Sequence, residues 1–170
     1  MAADSATELN AAKHCALLNS RYHADREAYL DRLDRNITFG ILATGAAAFT
    51  QFFGSEVQAI GAAVLTVFAL ARIVFETGKK ARLHSDLRRQ YLEISAKLEE
   101  GKLLARSANG QMMRLAAKEP PVFCAVHALA ENWATRAVYG EGQSLPCEIG
   151  VWSRLTRNIL RHESRNFGCD

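Results

Sequence analysis

Residues 37–75 have the sequence ITFGILATGAAAFTQFFGSEVQAIGAAVLTVFALARIVF, in which Glu56 and Arg72 are the only charged side chains. A Gly-Ser turn divides this stretch into two apolar segments, residues 37–53 and 57–71, and each is expected to form a helix. At about 1.5 Å of rise per residue the first segment spans about 26 Å, close to the roughly 30 Å of a bilayer's hydrocarbon core. The second segment is shorter, and it crosses only if the Arg72 side chain reaches the interface, so that the apolar residues after it extend the span. The stretch therefore predicts a two-helix transmembrane hairpin.

The alternative is a hairpin buried inside a soluble helical bundle, because both segments are rich in alanine and the mean hydropathy of the chain is only -0.09. Two features favour the membrane. No side chain from Ile37 to Thr50 is more polar than threonine, so the first segment lacks the polar face of an amphipathic soluble helix. Lysine and arginine are absent from residues 37–71 and frequent on both sides, as the positive-inside rule requires. The membrane-flanking basic residues are Arg32, Arg35, Arg72, Lys79, Lys80 and Arg82.

This charge pattern predicts that both termini are cytoplasmic and that Glu56 lies at the outer tip of the hairpin. The first residues contain no basic segment followed by an apolar core, so no secretory signal is expected and the hairpin itself should direct insertion. The chain is therefore expected to be all-α, with long helices that extend from the hairpin into a cytoplasmic helical bundle. Its regions are an N-terminal cytoplasmic helix (1–36), the transmembrane hairpin (37–75) and a cytoplasmic helical region (76–170).

Helical periodicity continues on both sides of the hairpin. Before it, small or apolar residues recur every seven positions, and His23 lies on this stripe, where a packing histidine is favoured over a pH or ligand sensor. After it, one helix is expected to continue from the membrane to a stop at Gly101. A later helix follows Pro120-Pro121. The expected cytoplasmic packing face consists of Leu83, Leu87, Tyr91 and Trp133.

Small residues recur at intervals of four in both apolar segments, a pattern that lets helices approach closely in lipid. One interpretation is an oligomer in which threonine and glutamine side chains line a narrow polar path. The other is packing of the two helices within one chain, and the sequence leaves both open. The candidate helix-packing or pore-lining residues are Gly40, Thr44, Ala47, Gln51, Gln58, Gly61 and Thr66.

Residues 151–162 predict a short amphipathic helix with an aromatic, apolar side and a basic side. This pattern is typical of a helix that lies in the membrane interface, and equally of a short helix that caps a bundle. The candidate interfacial residues are Trp152, Arg154, Arg157 and Arg161.

Several local sequences follow one another in order: Ile73-Val-Phe75, Lys80-Ala-Arg-Leu-His84, Leu87 and Tyr91, and later Glu119-Pro-Pro121 before a helix. In this order the chain resembles the SLATT domain, a bacterial two-transmembrane module found with nucleotide-second-messenger defence systems. The resemblance covers most of the chain. It implies an effector that oligomerises and perforates the bacterial inner membrane when a partner senses infection.

The partners implied are membrane lipid, further copies of the chain, and a separate nucleotide-sensing or nucleotide-synthesising protein, because the chain carries no nucleotidyltransferase or ligand-sensing domain of its own. Two alternatives stay open. One is a membrane-anchored interaction module without pore activity, and the other is a soluble helical bundle that binds a protein partner.

The sequence carries no sign of an enzyme or of a cofactor. It has no phosphate-binding glycine loop, dinucleotide fingerprint or metalloprotease motif, and His84-Ser85-Asp86 lies on a helix whose consecutive side chains diverge. The net charge of +3 is mild and the basic side chains cluster beside the hairpin, which favours an anionic leaflet over nucleic acid. The four cysteines are widely spaced, so reduced cytoplasmic thiols are expected and a metal site is not.

Overall fold

A computed structural model describes residues 2–49, 54–142, 146–163 and 167 of the chain. Most of these residues are helical and none of them forms a strand, which confirms the predicted all-α class. The helices are α1 (Ala2–Phe49), α2 (Ser55–Phe75), α3 (Thr77–Glu99), α4 (Ala105–Ala116), α5 (Cys124–Tyr139) and α6 (Val151–Thr156).

The chain divides into two compact units. The hairpin unit is Glu27–Leu83, and it contains the second half of α1, all of α2 and the first turns of α3. The helical domain is formed by Met1–Arg26 together with His84–Asp170. The hairpin unit is therefore longer than the apolar stretch 37–75, because it includes polar helix ends on both sides.

In the hairpin unit, α1 and α2 pack closely at Gly40. A Cβ atom added at Gly40 would lie 3.0 Å from the ring of Phe68 on α2. Carbon atoms in van der Waals contact lie about 3.5 to 4.0 Å apart, so a larger side chain here would push the ring away. The glycine thus permits a close helix contact inside a single chain.

One residue, Glu76, separates α2 from α3. Its backbone is left-handed, with φ 45° and ψ 41°, and its N–H donates to the Arg72 carbonyl at 3.2 Å. The Glu76 carbonyl accepts from the Lys80 N–H at 3.0 Å, so α3 starts again at once. The helix expected to continue unbroken after Arg72 is therefore interrupted here, which corrects that prediction. A left-handed residue other than glycine is uncommon and needs support from its surroundings.

The predicted stop of α3 at Gly101 is confirmed. Gly101 is left-handed, with φ 67°, and the Lys102 N–H turns back to the Lys97 carbonyl at 2.9 Å. This is the usual way in which glycine ends a helix.

The helical domain has a main core built from α1, α3 and α4. Alanines on α1 let the larger side chains of α3 and α4 approach its backbone. α4 runs without a break through Asn109-Gly110, although such a pair disfavours helix, because buried residues on both sides hold it in this core. The buried members of the core are Ala12, Ala16, Leu87, Tyr91, Ile94, Leu98, Ala108, Met112 and Leu115.

α5 packs through its alanine-rich side. Ala125 and Ala128 lie in one buried cluster with Cys147 and Phe167. A second buried cluster on α5 includes Tyr22 of α1. Small residues on α5 therefore let other parts of the helical domain pack against its backbone.

The Asn132 side chain forms two hydrogen bonds to the segment that follows α5. Its amide donates to the Cys147 carbonyl at 2.7 Å, and its oxygen accepts from the Cys147 N–H at 3.0 Å. Cys147 is disulfide-bonded, whereas Cys15 and Cys124 are free thiols. The expectation that all four cysteines are reduced is therefore wrong for Cys147.

Candidate functional site

α2 presents an apolar surface that lies open. Among the described residues, one helical stretch, Glu56–Glu99, contains a segment long and apolar enough to cross a membrane, and no residue of that segment is buried. Ile60, Val67 and Ile73 expose 65%, 65% and 72% of their surface. Soluble proteins rarely leave such a continuous apolar surface in contact with water. By its length and composition, this helix could cross a membrane.

The second half of α1 has the same character as far as the structure describes it. Phe39 and Leu42 are largely exposed, although both are apolar. The predicted first span continues through residues 50–53, which lie outside the described residues. The crossing of both helices therefore stays a prediction.

Hydroxyl groups on these apolar helices bond to the backbone of their own helix. The Thr44 hydroxyl donates to the Gly40 carbonyl at 2.6 Å, and the Thr66 hydroxyl donates to the Ala62 carbonyl at 2.8 Å. Such bonds satisfy a hydroxyl without water, as hydrocarbon surroundings demand. Of the other candidate pore-lining residues, Gln58 and Gly61 are half-buried, whereas Gln51 and the Ala47 side chain lie outside the described part of the chain.

A polar cluster joins the helices of the hairpin unit where α3 begins. Asp34 on α1 accepts a 2.6 Å hydrogen bond from the buried Thr77 hydroxyl, and its other oxygen lies 3.9 Å from Arg72 Nη2. A Cβ atom at Gly78 would lie 3.5 Å from Asp34 Oδ1, so the carboxylate sits over the first turn of α3. The helix dipole favours a negative charge at this end. Asp34 therefore links α1 to the start of α3.

The predicted membrane-flanking residues lie around this junction. Arg72, Lys79 and Arg82 line an open cleft of about 510 Å³. Exposed ion pairs here, such as Arg35 with Asp31 at 2.8 Å, add little stability. All six flanking residues are exposed: Arg32, Arg35, Arg72, Lys79, Lys80 and Arg82.

A second polar cluster lies buried in the helical domain and joins α1, α3 and the loop after α4. His23 Nδ1 lies 2.8 Å from His84 Nδ1, and His23 Nε2 lies 3.1 Å from Glu119 Oε1. The Tyr91 hydroxyl donates a 2.6 Å bond to the same Glu119 oxygen. The two histidines expose 0% and 3% of their surface, and Tyr22 packs edge-on against both rings. We call these side chains the histidine cluster.

The distances in the histidine cluster decide where its protons lie. A carboxylate only accepts, so His23 Nε2 carries a proton and donates it to Glu119. Two Nδ1 atoms at 2.8 Å hold one proton between them, because two facing N–H groups would repel each other. The imidazole pair therefore takes at most one positive charge while the contact exists.

The surroundings keep His84 neutral. Burial, followed by repulsion from His23 and Arg26, lowers the pKa of His84 from 6.5 to about 4. Burial acts to raise the pKa of Glu119, but hydrogen bonds from His23 and Tyr91 outweigh it and hold that pKa below its ordinary value. Burial and the bond to Glu119 raise the pKa of Tyr91 far above its usual range. The cluster at neutral pH thus joins a carboxylate, a neutral His84 and an un-ionised tyrosine.

The packing face differs from the expected one. Leu87 and Tyr91 are buried in the main core, but Leu83 and Trp133 are exposed. Within the helical domain, the buried face of α3 starts at His84 instead, and its regularly spaced members are His84, Leu87, Tyr91, Ile94 and Leu98. Their spacing alternates regularly between three and four residues, which is the signal that identifies His84 as a core position. Glu119 carries no comparable signal, because it lies in a loop.

α6 is shorter than predicted and ends at Thr156, although turns continue its path to Ile159. Its apolar side chains, Trp152 and Leu155 among them, are exposed. α6 contacts α5, so the membrane-interface and bundle-capping interpretations both stay predictions.

Comparisons with protein families, with curated proteins and with solved structures find no match for this chain. The resemblance to the SLATT domain thus rests on local sequence order alone. No three or more His, Cys, Asp or Glu side chains are placed to hold a metal ion in the described part of the chain.

Proposed function

We propose that this chain is an integral membrane protein whose hairpin, residues 37–75, crosses the bilayer while its helical domain lies in the cytoplasm. The observation that carries the proposal is the open apolar surface of α2, on which no residue of the membrane-length segment is buried. A water-exposed helix of this composition would aggregate, whereas lipid covers it without loss. The basic residues around the Asp34 junction then lie at the cytoplasmic interface, as the positive-inside rule expects.

The test is extraction of the full chain from membranes. The chain should sediment with membranes, resist high salt and alkaline carbonate, and dissolve in mild detergent. Recovery as a monodisperse soluble monomer would reject the proposal in favour of a soluble bundle.

The activity that best suits such a hairpin is a change in membrane permeability by several copies acting together. Support comes from the small residues that both helices still expose, since packing of small surfaces drives helix association in lipid. Ala43, Ala59 and Ala63 are exposed members of this surface. The resemblance to the SLATT domain adds the context of bacterial defence, with a separate nucleotide-sensing or nucleotide-synthesising protein as the trigger.

A second candidate function is a membrane anchor without a pore, and the contact at Gly40 favours it. Gly40 packs against Phe68 of its own chain, so this part of the small-residue surface is already used inside one hairpin. The hairpin would then only hold the helical domain at the membrane, where it binds a partner.

Substitutions at two glycines distinguish the pore from the anchor. A Cβ atom at Gly45 would meet nothing within 4 Å in one chain, unlike Gly40. Gly45→Leu should therefore leave each hairpin intact and weaken association between copies, and with it dye leakage from liposomes. Gly40→Leu is the matched variant that disturbs the hairpin itself. Unchanged crosslinking and leakage with Gly45→Leu, or full activity with an unrelated hairpin, would favour the anchor.

A further inference from the structure

The C-terminal segment from Val151 to Arg161 exposes an unusual density of large apolar side chains. A lone exposed leucine on a protein surface needs no explanation, but five large apolar residues within one short segment form a patch that marks an interaction site. These residues, with their exposed fractions, are Val151 75%, Trp152 69%, Leu155 73%, Ile159 68% and Leu160 46%.

Positive charge accompanies this patch. Residues 151–162 contain Arg154, Arg157 and Arg161 and no aspartate or glutamate. No ion pair joins any of these arginines to another described residue. The surface therefore combines an apolar centre with cations that have no acidic partner in the described chain.

The segment is held in place from its polar side. Arg26 of α1 donates from Nη1 to both the backbone carbonyl and the side-chain oxygen of Asn158, each at 3.0 Å. The same guanidinium lies 3.8 Å from the centre of the Phe123 ring, and that of Arg161 lies 5.6 Å from it. Because Asn158 is bound towards α1, the apolar side chains on either side of it stay on the outer surface of the helical domain.

We propose that residues 151–161 form a second membrane contact, which seats Trp152, Leu155 and Ile159 in the headgroup region of an anionic leaflet. Tryptophan prefers that region, and arginines beside an apolar stripe bind acidic headgroups there. A symmetric contact with a second copy fits less well, since it would place the same arginines against each other. This contact rests on the proposed membrane association but not on whether the hairpin forms a pore.

Tryptophan fluorescence tests the contact directly, because Trp133 and Trp152 are the only tryptophans. In full-length Trp133→Phe, reconstituted in vesicles of phosphatidylcholine and phosphatidylglycerol, Trp152 emission should be blue-shifted. Lipids brominated near the headgroup should quench it more than lipids brominated near the chain end. In phosphatidylcholine alone the shift and the quenching should be largely lost. The matched variant Trp152→Phe reports Trp133, which should be quenched much less.

Substitutions identify the surface. Leu155→Asp and Arg154→Gln should each reduce the quenching of Trp152, whereas Met113→Asp, at an equally exposed apolar residue of α4, should not. Helix content by circular dichroism should be the same in all three, since these side chains lie on the surface. If brominated lipids do not quench Trp152 and phosphatidylglycerol does not shift its emission, the proposed membrane contact is wrong. Shielding of Trp152 that depends on protein concentration and not on lipid would also overturn the contact, because that result assigns the patch to a second copy.

The transmembrane hairpin and the contact by residues 151–161 can be rejected independently of each other. Leu155→Asp should leave the chain resistant to salt extraction, because the hairpin is unchanged. If the parent chain proves soluble, the same quenching is measured after adding vesicles to it, and binding that needs phosphatidylglycerol would uphold the contact without the hairpin. Absence of quenching in that measurement would reject it.

Discussion

His23 and His84 lie on different helices with their Nδ1 atoms 2.8 Å apart, and one proton joins them. On its far side His23 donates to Glu119, which also accepts from Tyr91. Four side chains from three segments thus form a chain of hydrogen bonds in which both histidines and Tyr91 are buried and Glu119 is partly exposed. Such a network is stable only while every donor has its acceptor.

Acid should destabilise the helical domain between about pH 6.5 and pH 4. In this window His84 binds a proton in the unfolded chain but not in the folded one, so the free energy of unfolding decreases as the pH falls. A pKa shift of this size lowers the free energy of unfolding by about 3 kcal/mol over the whole window. The lowered pKa values of Glu119 and His127 act in the same direction. Urea midpoints of the detergent-solubilised chain at several pH values measure the effect.

The control for this prediction is His84→Gln, which keeps a hydrogen-bonding group but does not titrate. Its midpoint at neutral pH should be lower than that of the parent, and its dependence on pH between those limits should be clearly flatter. The same slope in both chains would show that His84 is not the group responsible.

Tyr91→Phe should destabilise the helical domain by about 1 to 3 kcal/mol, the usual cost of a lost hydrogen bond to a buried charged group. The hydrogen bond from the Tyr91 hydroxyl is the shorter of the two bonds to Glu119. The ring itself stays in the core as phenylalanine. Tyr139→Phe is the matched control, because Tyr139 is exposed. Thermal unfolding by circular dichroism compares the two, and equal melting temperatures would contradict the prediction.

Thr77→Val should destabilise the hairpin unit by about 1 to 3 kcal/mol, because it removes the donor to Asp34 and leaves a methyl group of similar size. In the described part of the chain the hydroxyl of Thr66 bonds to the Ala62 carbonyl of its own helix, so Thr66→Val should have little effect. Unfolding of both variants in mixed micelles with rising fractions of denaturing detergent measures the difference. Comparable losses from the two substitutions would mean that the junction at Asp34 contributes nothing of its own.

Cysteine labelling tests the proposed orientation in the membrane. In a chain with Cys15 and Cys124 replaced by serine, Glu56→Cys should react with an impermeant maleimide from outside intact cells. Cys15 in the parent should react only after the membrane is opened, and slowly, because burial raises its pKa. Labelling of Cys15 from outside would reverse the topology, and it would place the disulfide at Cys147 in the oxidising compartment where such bonds usually form.

Composition and periodicity were sufficient for the helical class and for the stop at Gly101. The scarcity of charge in residues 37–75, where only Glu56 and Arg72 are charged, also identified the helix α2 that the structure leaves uncovered. These features depend on residues close together in the sequence, where helix propensity and hydropathy act directly.

The polar clusters were not predictable in the same way. Leu83 looked like the start of the packing face because it lies four residues before Leu87, yet His84 occupies that position and contacts His23 on α1. Trp133 was placed on the packing face by its helical spacing, but α5 buries alanines, since small side chains let helices pack closely. No motif or periodic pattern in the sequence marks Asp34. In each case the deciding partner lies far away in the sequence.

The left-handed residue Glu76 also determines how this protein tolerates changes in length. In a continuous helix one inserted residue turns everything beyond it by about 100°. An insertion just after His84 would therefore rotate Leu87 and Tyr91 out of the core. An insertion beside Glu76 meets a backbone that has already left the helix, so α3 keeps its phase. A residue gained or lost beside Glu76 would thus leave the buried face of α3 where it is, and in the proposed transmembrane hairpin it would let α2 match a thicker or thinner bilayer.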